Sequence, residues 1–210
     1  MTAKMRACLD LVTGLVDEGK PVIVWCIFVR NIMTITRELQ RAGASAEYID
    51  GSVPAEDRAN VLGRFHSGAT TVLVTNPHTL AESVSLHDVC HDAVYFEYSY
   101  NLVHLLQSKD RINRLGLRDD EYTQYHYLRT EFQNDGSAWS LDANIYDRLA
   151  EKEQTMLHAI DGDYLEDGAA DEHDIEVVCR GLYGGVTACG RALAGGHVCA
   201  LHVPSAGGLQ

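Results

Sequence analysis

The chain has 210 residues, 46 % of them apolar, and a formal net charge of −13. That length buries one good core with room for a small appendage. No run of about 18 apolar residues is present to form a membrane-spanning helix, the polar N-terminus lacks an export core and reads as cytoplasmic, and the acidic balance argues against a strong non-specific grip on phosphate backbone.

Met5, Leu9, Val12 and Val16 recur at helical spacing and predict a first amphipathic helix. Residues 22–28 form a nearly continuous apolar run rich in β-branched side chains, the pattern of a parallel strand buried on both faces. Ile32, Ile35, Leu39 and Ala42 make the next helical stripe, with Asn31 as its cap and Gly43 behind it. Ala46–Ile49 is a short strand, and Pro54 opens a helix reaching about Ser67. Residues 71–75 and 93–97 are buried-type strands. A helix over 102–115, an alternating strand over 122–128 and a last helix carrying Ile145, Leu149, Lys152 and Met156 complete the series. Strands alternating with helices of this length predict an α/β lobe with a parallel sheet covered on both faces.

The composition changes near residue 160. Between Asp161 and Glu176 there are eight acids and no Lys or Arg, which reads as a solvated linker. The lobe is therefore 1–160, the linker 161–176, and a Gly- and Cys-rich tail 177–210. In the tail, Cys179, Cys189, Cys199 and His202 stand at C-x9-C-x9-C-x2-H spacing. Two readings stand: a small knuckle held by zinc, since three thiolates and an imidazole form an accepted tetrahedral set, or a Gly-rich tail with incidental cysteines. Cys8 and Cys26 read as core. His87, Cys90 and His91 read as structural or solvated residues of a connection.

Gly14 to Lys20 fits the first seven positions of a phosphate-binding loop. The chemistry needs a strand before it, a helix after it and a hydroxyl for magnesium next. Here the predicted order is reversed and Pro21 takes the hydroxyl position, so a self-sufficient ATPase is not expected.

The segment Gln107-Ser-Lys-Asp110-Arg111-Ile-Asn-Arg114-Leu-Gly116 carries the chemistry. At helical spacing Gln107, Asp110, Arg111 and Arg114 share one face. Paired guanidiniums beside an acid and an amide suit a site that meets phosphate oxygens. By composition alone, a solvated charged helix face is the favoured reading of these residues.

The order of segments resembles the C-terminal lobe of superfamily 2 helicases, and within it the Swi/Snf-like branch. Residues 22–28 resemble the opening strand, often VLIFSQF in that family. Ile49-Asp50-Gly51, Glu56-Asp57-Arg58 and Phe65 resemble its "DG … ER … F" stretch. Residues 72–86 are similar, without gaps, to motif V, "LLSTRAGGLGLNL", and residues 95–101 to the strand and "WN" that follow. Gln107 to Gly116 matches motif VI, "QAxDRxHRxGQ", and Leu149, Lys152 and Met156 resemble a trailing "L..K…M" helix.

The resemblance implies a RecA-like sheet flanked by helices. It implies that Arg111 and Arg114 are arginine fingers for ATP, held with Mg by a separate Walker-A-bearing first lobe. Gln107, Asp110, Glu82 and Ser83 would flank the nucleotide, with the arginines near the carboxyl ends of the strands. Asn76 and Asn101 would meet nucleic acid, DNA rather than RNA. Leu80, Ala81 and Ser83 replace motif V glycines, and Ser85 replaces its Asn. The expected activity is half of an ATP-dependent translocase, inactive alone; the alternative is an orphan lobe serving as a nucleic-acid- or protein-binding module.

Overall fold

The computed structural model describes residues 1–81, 84–113, 122–134, 137–160 and 196–204. Three four-residue strands, β1 (Val22–Trp25), β3 (Val72–Thr75) and β4 (Asp92–Tyr95), are buried at every position. Their largely apolar sequences, with buried Thr75 and Asp92 as the polar exceptions, suit strands with helices on both sides. With β2 (Ala46–Ile49), β5 (Gln124–Asn134) and β6 (Ser137–Trp139) they form a sheet in the order β2-β3-β1-β4-β5-β6, with β7 (Gly196–Pro204) on β5. The pairings from β2 through β5 are parallel; β6 and β7 run antiparallel to β5.

Alternation along each strand divides the core in two. Val22, Val24, Val72, Val74 and Val94 pack with Met5, Cys8 and Val12 of α1 (Ala3–Asp17) and Ile32, Ile35 and Leu39 of α2 (Val29–Arg41). Ile23, Trp25, Leu73 and Tyr95 face Val61 and Phe65 of α3 (Ala55–His66), Leu105 of α4 (Leu102–Lys109) and Leu149 of α5 (Leu141–Ile160). Burial of each such aliphatic side chain contributes about 1.5–3 kcal/mol. Trp25, Tyr95 and Tyr127 lie in register on β1, β4 and β5; the Tyr95 and Tyr127 rings stack with centroids 4.6 Å apart.

Several elements differ from the sequence expectation. The buried stripe of α1 is Met5, Cys8, Val12 and Leu15, with Thr2 Oγ1 capping Met5 N–H at 3.2 Å. Phe28, not Asn31, is the cap residue of α2. β5 extends to Asn134, pairing with β7 from Gln124 to Phe132 and with β6 from Phe132 to Asn134. Helix α1 runs into β1 through Gly19, whose φ of +79° ends the helix, while Lys20 Nζ pairs with Glu18 at 2.6 Å. The Gly14–Lys20 segment thus has a helix before it and a strand after it, the reverse of a phosphate loop.

Candidate functional site

Helix α4 starts at Asn101, whose Oδ1 accepts His104 N–H at 3.3 Å. Its inner side is pinned by buried Leu105 and Ser108, the latter bonded to Tyr95 Oη at 2.8 Å and to Leu105 O at 2.7 Å. The helix ends at Lys109, shorter than expected, with Asp110 as its C-cap. Eight helical residues span about 12 Å and four strand residues about 13 Å, so the chain has by then crossed the sheet and turns toward β5. Helical winding persists briefly, as Ile112 and Asn113 N–H donate to Lys109 O at 3.2 and 3.0 Å. Gln107 and Arg111 are half-buried and Asp110 is exposed; Arg114 lies outside the described residues.

Arg111 is fixed against motif V. Its Nη1 donates to Val84 O at 3.1 Å, and its own carbonyl accepts Leu86 N–H at 2.7 Å. Glu82 and Ser83, the residues just before Val84, lie outside the described residues. Thr123 Oγ1 donates to Ile112 O at 3.2 Å and Gln124 N–H to His91 O at 2.7 Å. These bonds place Arg111 where β4 and β5 begin. The expectation of a site near the carboxyl ends of the strands is therefore corrected: the arginine stands at their amino edge, because α4 carries the chain back across the sheet. On the same segment Ser85 Oγ meets His87 Nδ1 at 2.5 Å, and His87 Nε2 meets Asp88 Oδ1 at 3.0 Å.

Asn76 and Asn101 stand at the opposite edge, after β3 and β4. Asn76 Oδ1 accepts Thr79 N–H at 2.7 Å and caps the 3-10 turn Thr79–Ala81. Both side chains thus use their carbonyl oxygens as caps. Beside them is a residue the motifs did not single out. Glu97 Oε2 accepts the N–H groups of Ile27 and Phe28 at 3.1 and 3.0 Å, and Oε1 accepts Asn31 Nδ2 at 2.6 Å. The available signal was an acid ending a buried apolar run. β1 and β4 are neighbours whose following connections leave in opposite directions, which makes this edge a switch point of the sheet.

Burial pushes the thiols of Cys8 and Cys90 up to about 12 and raises that of Cys26. Such thiols are poor thiolate ligands or nucleophiles. Cys90 Sγ instead donates to Pro21 O and Asp92 O, both at 3.4 Å. Among the described residues no three His, Cys, Asp or Glu side chains gather as a metal site. Of the zinc candidates, Cys179 and Cys189 lie outside the described residues. Cys199 and His202 fall in β7, with backbone registered opposite Arg129 and His126. Extended backbone separates positions three apart by about 10 Å, unlike the tight turn of a knuckle. No helix among the described residues is long and apolar enough to cross a membrane.

Residues 3–116 match the family model "Helicase conserved C-terminal domain". The chain is 27 % identical over 160 residues to Switch 2 of Arabidopsis thaliana, covering 76 % of this chain and 17 % of that protein. It is 26 % identical over 116 residues to ATP-dependent helicase fft2 of Schizosaccharomyces pombe, covering 55 % and 9 %. It thus spans under a fifth of the length of either relative. The crystal structure of the C-terminal part of the Fun30 ATPase domain superposes with a TM-score of 0.61 at 14 % identity, over 89 % of this chain and 56 % of that one, and shares the fold. The matched region includes the connection after β3, helix α4 and Arg111, and the chain belongs to the helicase conserved C-terminal domain family.

Proposed function

We propose that this lobe is half of an ATP-driven DNA translocase and supplies Arg111 and Arg114 to ATP held, with its Mg, by a Walker-A-bearing first lobe. Guanidinium forks bind phosphate oxygens in pairs and balance charge developing in phosphoryl transfer. Gln107 and Asp110 would border that contact, and Asn76 and Asn101 would meet DNA at the other edge.

The observation that carries this reading is the bond between Arg111 and Val84 O. Val84 belongs to the connection between β3 and β4, which starts at Asn76 on one edge of the sheet and returns to the other. A change in what Arg111 touches therefore pulls on a segment that also reaches the DNA-facing edge. The test is ATP hydrolysis with DNA. The chain alone should show no turnover. Adding a Walker-A-bearing lobe should restore it, and Arg111→Ala or Arg114→Ala should cut it by about 10³-fold. A reconstituted pair that stays active without both arginines sinks the assignment.

A zinc held by Cys179, Cys189, Cys199 and His202 is a separate proposal. It requires about one zinc per chain, lost on Cys189→Ser; a folded, zinc-free chain removes it.

A further inference from the structure

Tyr125 of β5 is buried, and its hydroxyl reaches the point where α4 stops. Oη donates at 3.3 Å to the carbonyl of Lys109, the last residue of that helix. The Lys109 ammonium lies over the same ring, 6.0 Å from its centroid, and reaches Glu153 of α5 at 3.4 Å. One tyrosine thus holds both the backbone and the side chain of the residue two before Arg111. Burial, and the Asp110 charge after it, raise this hydroxyl above its ordinary value, so it keeps the proton it donates.

Satisfying the backbone does not require that bond. Lys109 O already accepts Ile112 N–H at 3.2 Å and Asn113 N–H at 3.0 Å, which use the two lone pairs of a carbonyl. Packing does not require it either. A phenyl ring would fill the same place beside Tyr95, whose centroid is 6.3 Å away, without the cost of burying an oxygen. The hydroxyl therefore contributes direction more than stability. A second hydroxyl repeats the arrangement one residue past Arg111. Thr123, two positions before Tyr125 and so on the same face of extended backbone, donates from Oγ1 to Ile112 O at 3.2 Å. Arg111 lies between two carbonyls that side chains leading into β5 tie to the sheet.

Resting on the reading of Arg111 as a finger for ATP, we propose that Tyr125 is a positioning residue, whose hydroxyl fixes how α4 ends and hence the direction in which Arg111 leaves the chain. It touches no nucleotide and acts through Lys109. The last turn of a helix can tighten from α to 3-10 winding, and Lys109 O, shared between N–H groups three and four residues on, stands at that choice. The tyrosine hydroxyl holds the carbonyl to one orientation. A finger must meet charge that develops only during transfer, and a misplacement of about 1 Å costs such a group up to about 100-fold in rate.

The test uses Tyr125→Phe, which removes one oxygen, in the full chain with a Walker-A-bearing first lobe added. In ATP hydrolysis kcat should fall by roughly ten- to a hundred-fold with KM for ATP unchanged, the pattern of a contact made only in the transition state. Tyr125→Phe should lower nothing further in an Arg111→Ala chain, because both changes remove the same interaction. In the chain alone, exchange of the Ile112 and Asn113 amides should quicken while the melting curve stays that of wild type. A Tyr125→Phe pair that hydrolyses ATP like wild type, where Arg111→Ala does not, overturns the inference and leaves the finger reading standing. An Arg111→Ala pair as active as wild type, or no turnover from the wild-type pair, overturns both. A Tyr125→Phe loss that adds in full to the Arg111→Ala loss, or unchanged exchange at 112 and 113, makes the hydroxyl a packing group and overturns the inference.

Discussion

Arg111 and Val84 hold together the two segments expected to face a nucleotide: Nη1 of Arg111 donates to Val84 O at 3.1 Å, and two residues on, Leu86 N–H returns a bond to Arg111 O at 2.7 Å. Arg111→Ala leaves the Val84 carbonyl short of a charged donor, a cost of about 1–3 kcal/mol readable as a lower urea midpoint. Arg111→Lys keeps the charge but loses the planar fork. It should recover most of the stability and little of the hydrolysis seen with an added first lobe. Equal recovery of both would make Arg111 a structural residue only.

Glu97 joins the end of β4 to the start of α2 through three bonds. Glu97→Ala should cost about 1.5–3 kcal/mol, the range for hydrogen bonds to a charged group. The loss should be local: amide exchange at Ile27 and Phe28 should accelerate before exchange at Val22 to Val24 in the buried strand. Exchange at 27 and 28 that matches wild type would show that the loop is held by its own turn.

Asp92 and His126 form a buried pair across β4 and β5, with Oδ1 and Nε2 3.2 Å apart and side chains 10 % and 3 % exposed respectively. Asp92→Leu removes the carboxylate from this buried pair and should lower stability by about 3 kcal/mol. Asp92→Asn retains an acceptor and should cost less. Urea melts with unchanged slope would attribute the shift to the folded state.

Glu47 accepts two bonds from Arg64, at 2.6 and 2.9 Å, and one from Thr70 at 2.5 Å. Arg64 first, then Thr70, holds its carboxyl below the ordinary value of 4.5 against the opposing effect of burial. A carboxyl lowered in the folded state contributes stability that is complete above its unfolded value and fades as pH falls through the folded one. Wild type should therefore lose stability below about pH 4.5 more steeply than Glu47→Gln. Parallel curves for the two proteins would refute this linkage.

Cys8, Cys26 and Cys90 are fully buried, and burial raises all three thiols. Under native conditions they should resist iodoacetamide and react only on unfolding. Peptide mapping that finds any of the three modified in folded protein would contradict the packing of α1 and the central strands.

Much of the lobe was legible because its signals are local. Val22 to Trp25 and Val72 to Thr75 announce themselves as strands buried on both faces, and Ile32, Ile35 and Leu39 as one side of a helix. The pattern misled where local and tertiary demands part. Asn31 looks like a helix cap, but its amide goes to Glu97, 66 residues away. The apolar and charged spacing over 102–115 continues beyond the point where the helix must stop to let the chain enter β5. Nothing local in the Gly- and Cys-rich tail advertises a strand, because the pairing of β7 with β5 is a relation between distant backbones.

By itself the sequence determined the alternating strands and helices, the order of the motifs and so the family, since all of these are written in short-range periodicity and residue identity. Tertiary structure alone decided which edge each candidate residue occupies. Arg111 and Val84 are separated by 27 residues, and Phe28 and Glu97 by 69. No helical or strand period reaches that far; sheet order and the length of α4 set those distances, and with them which side chains can act together.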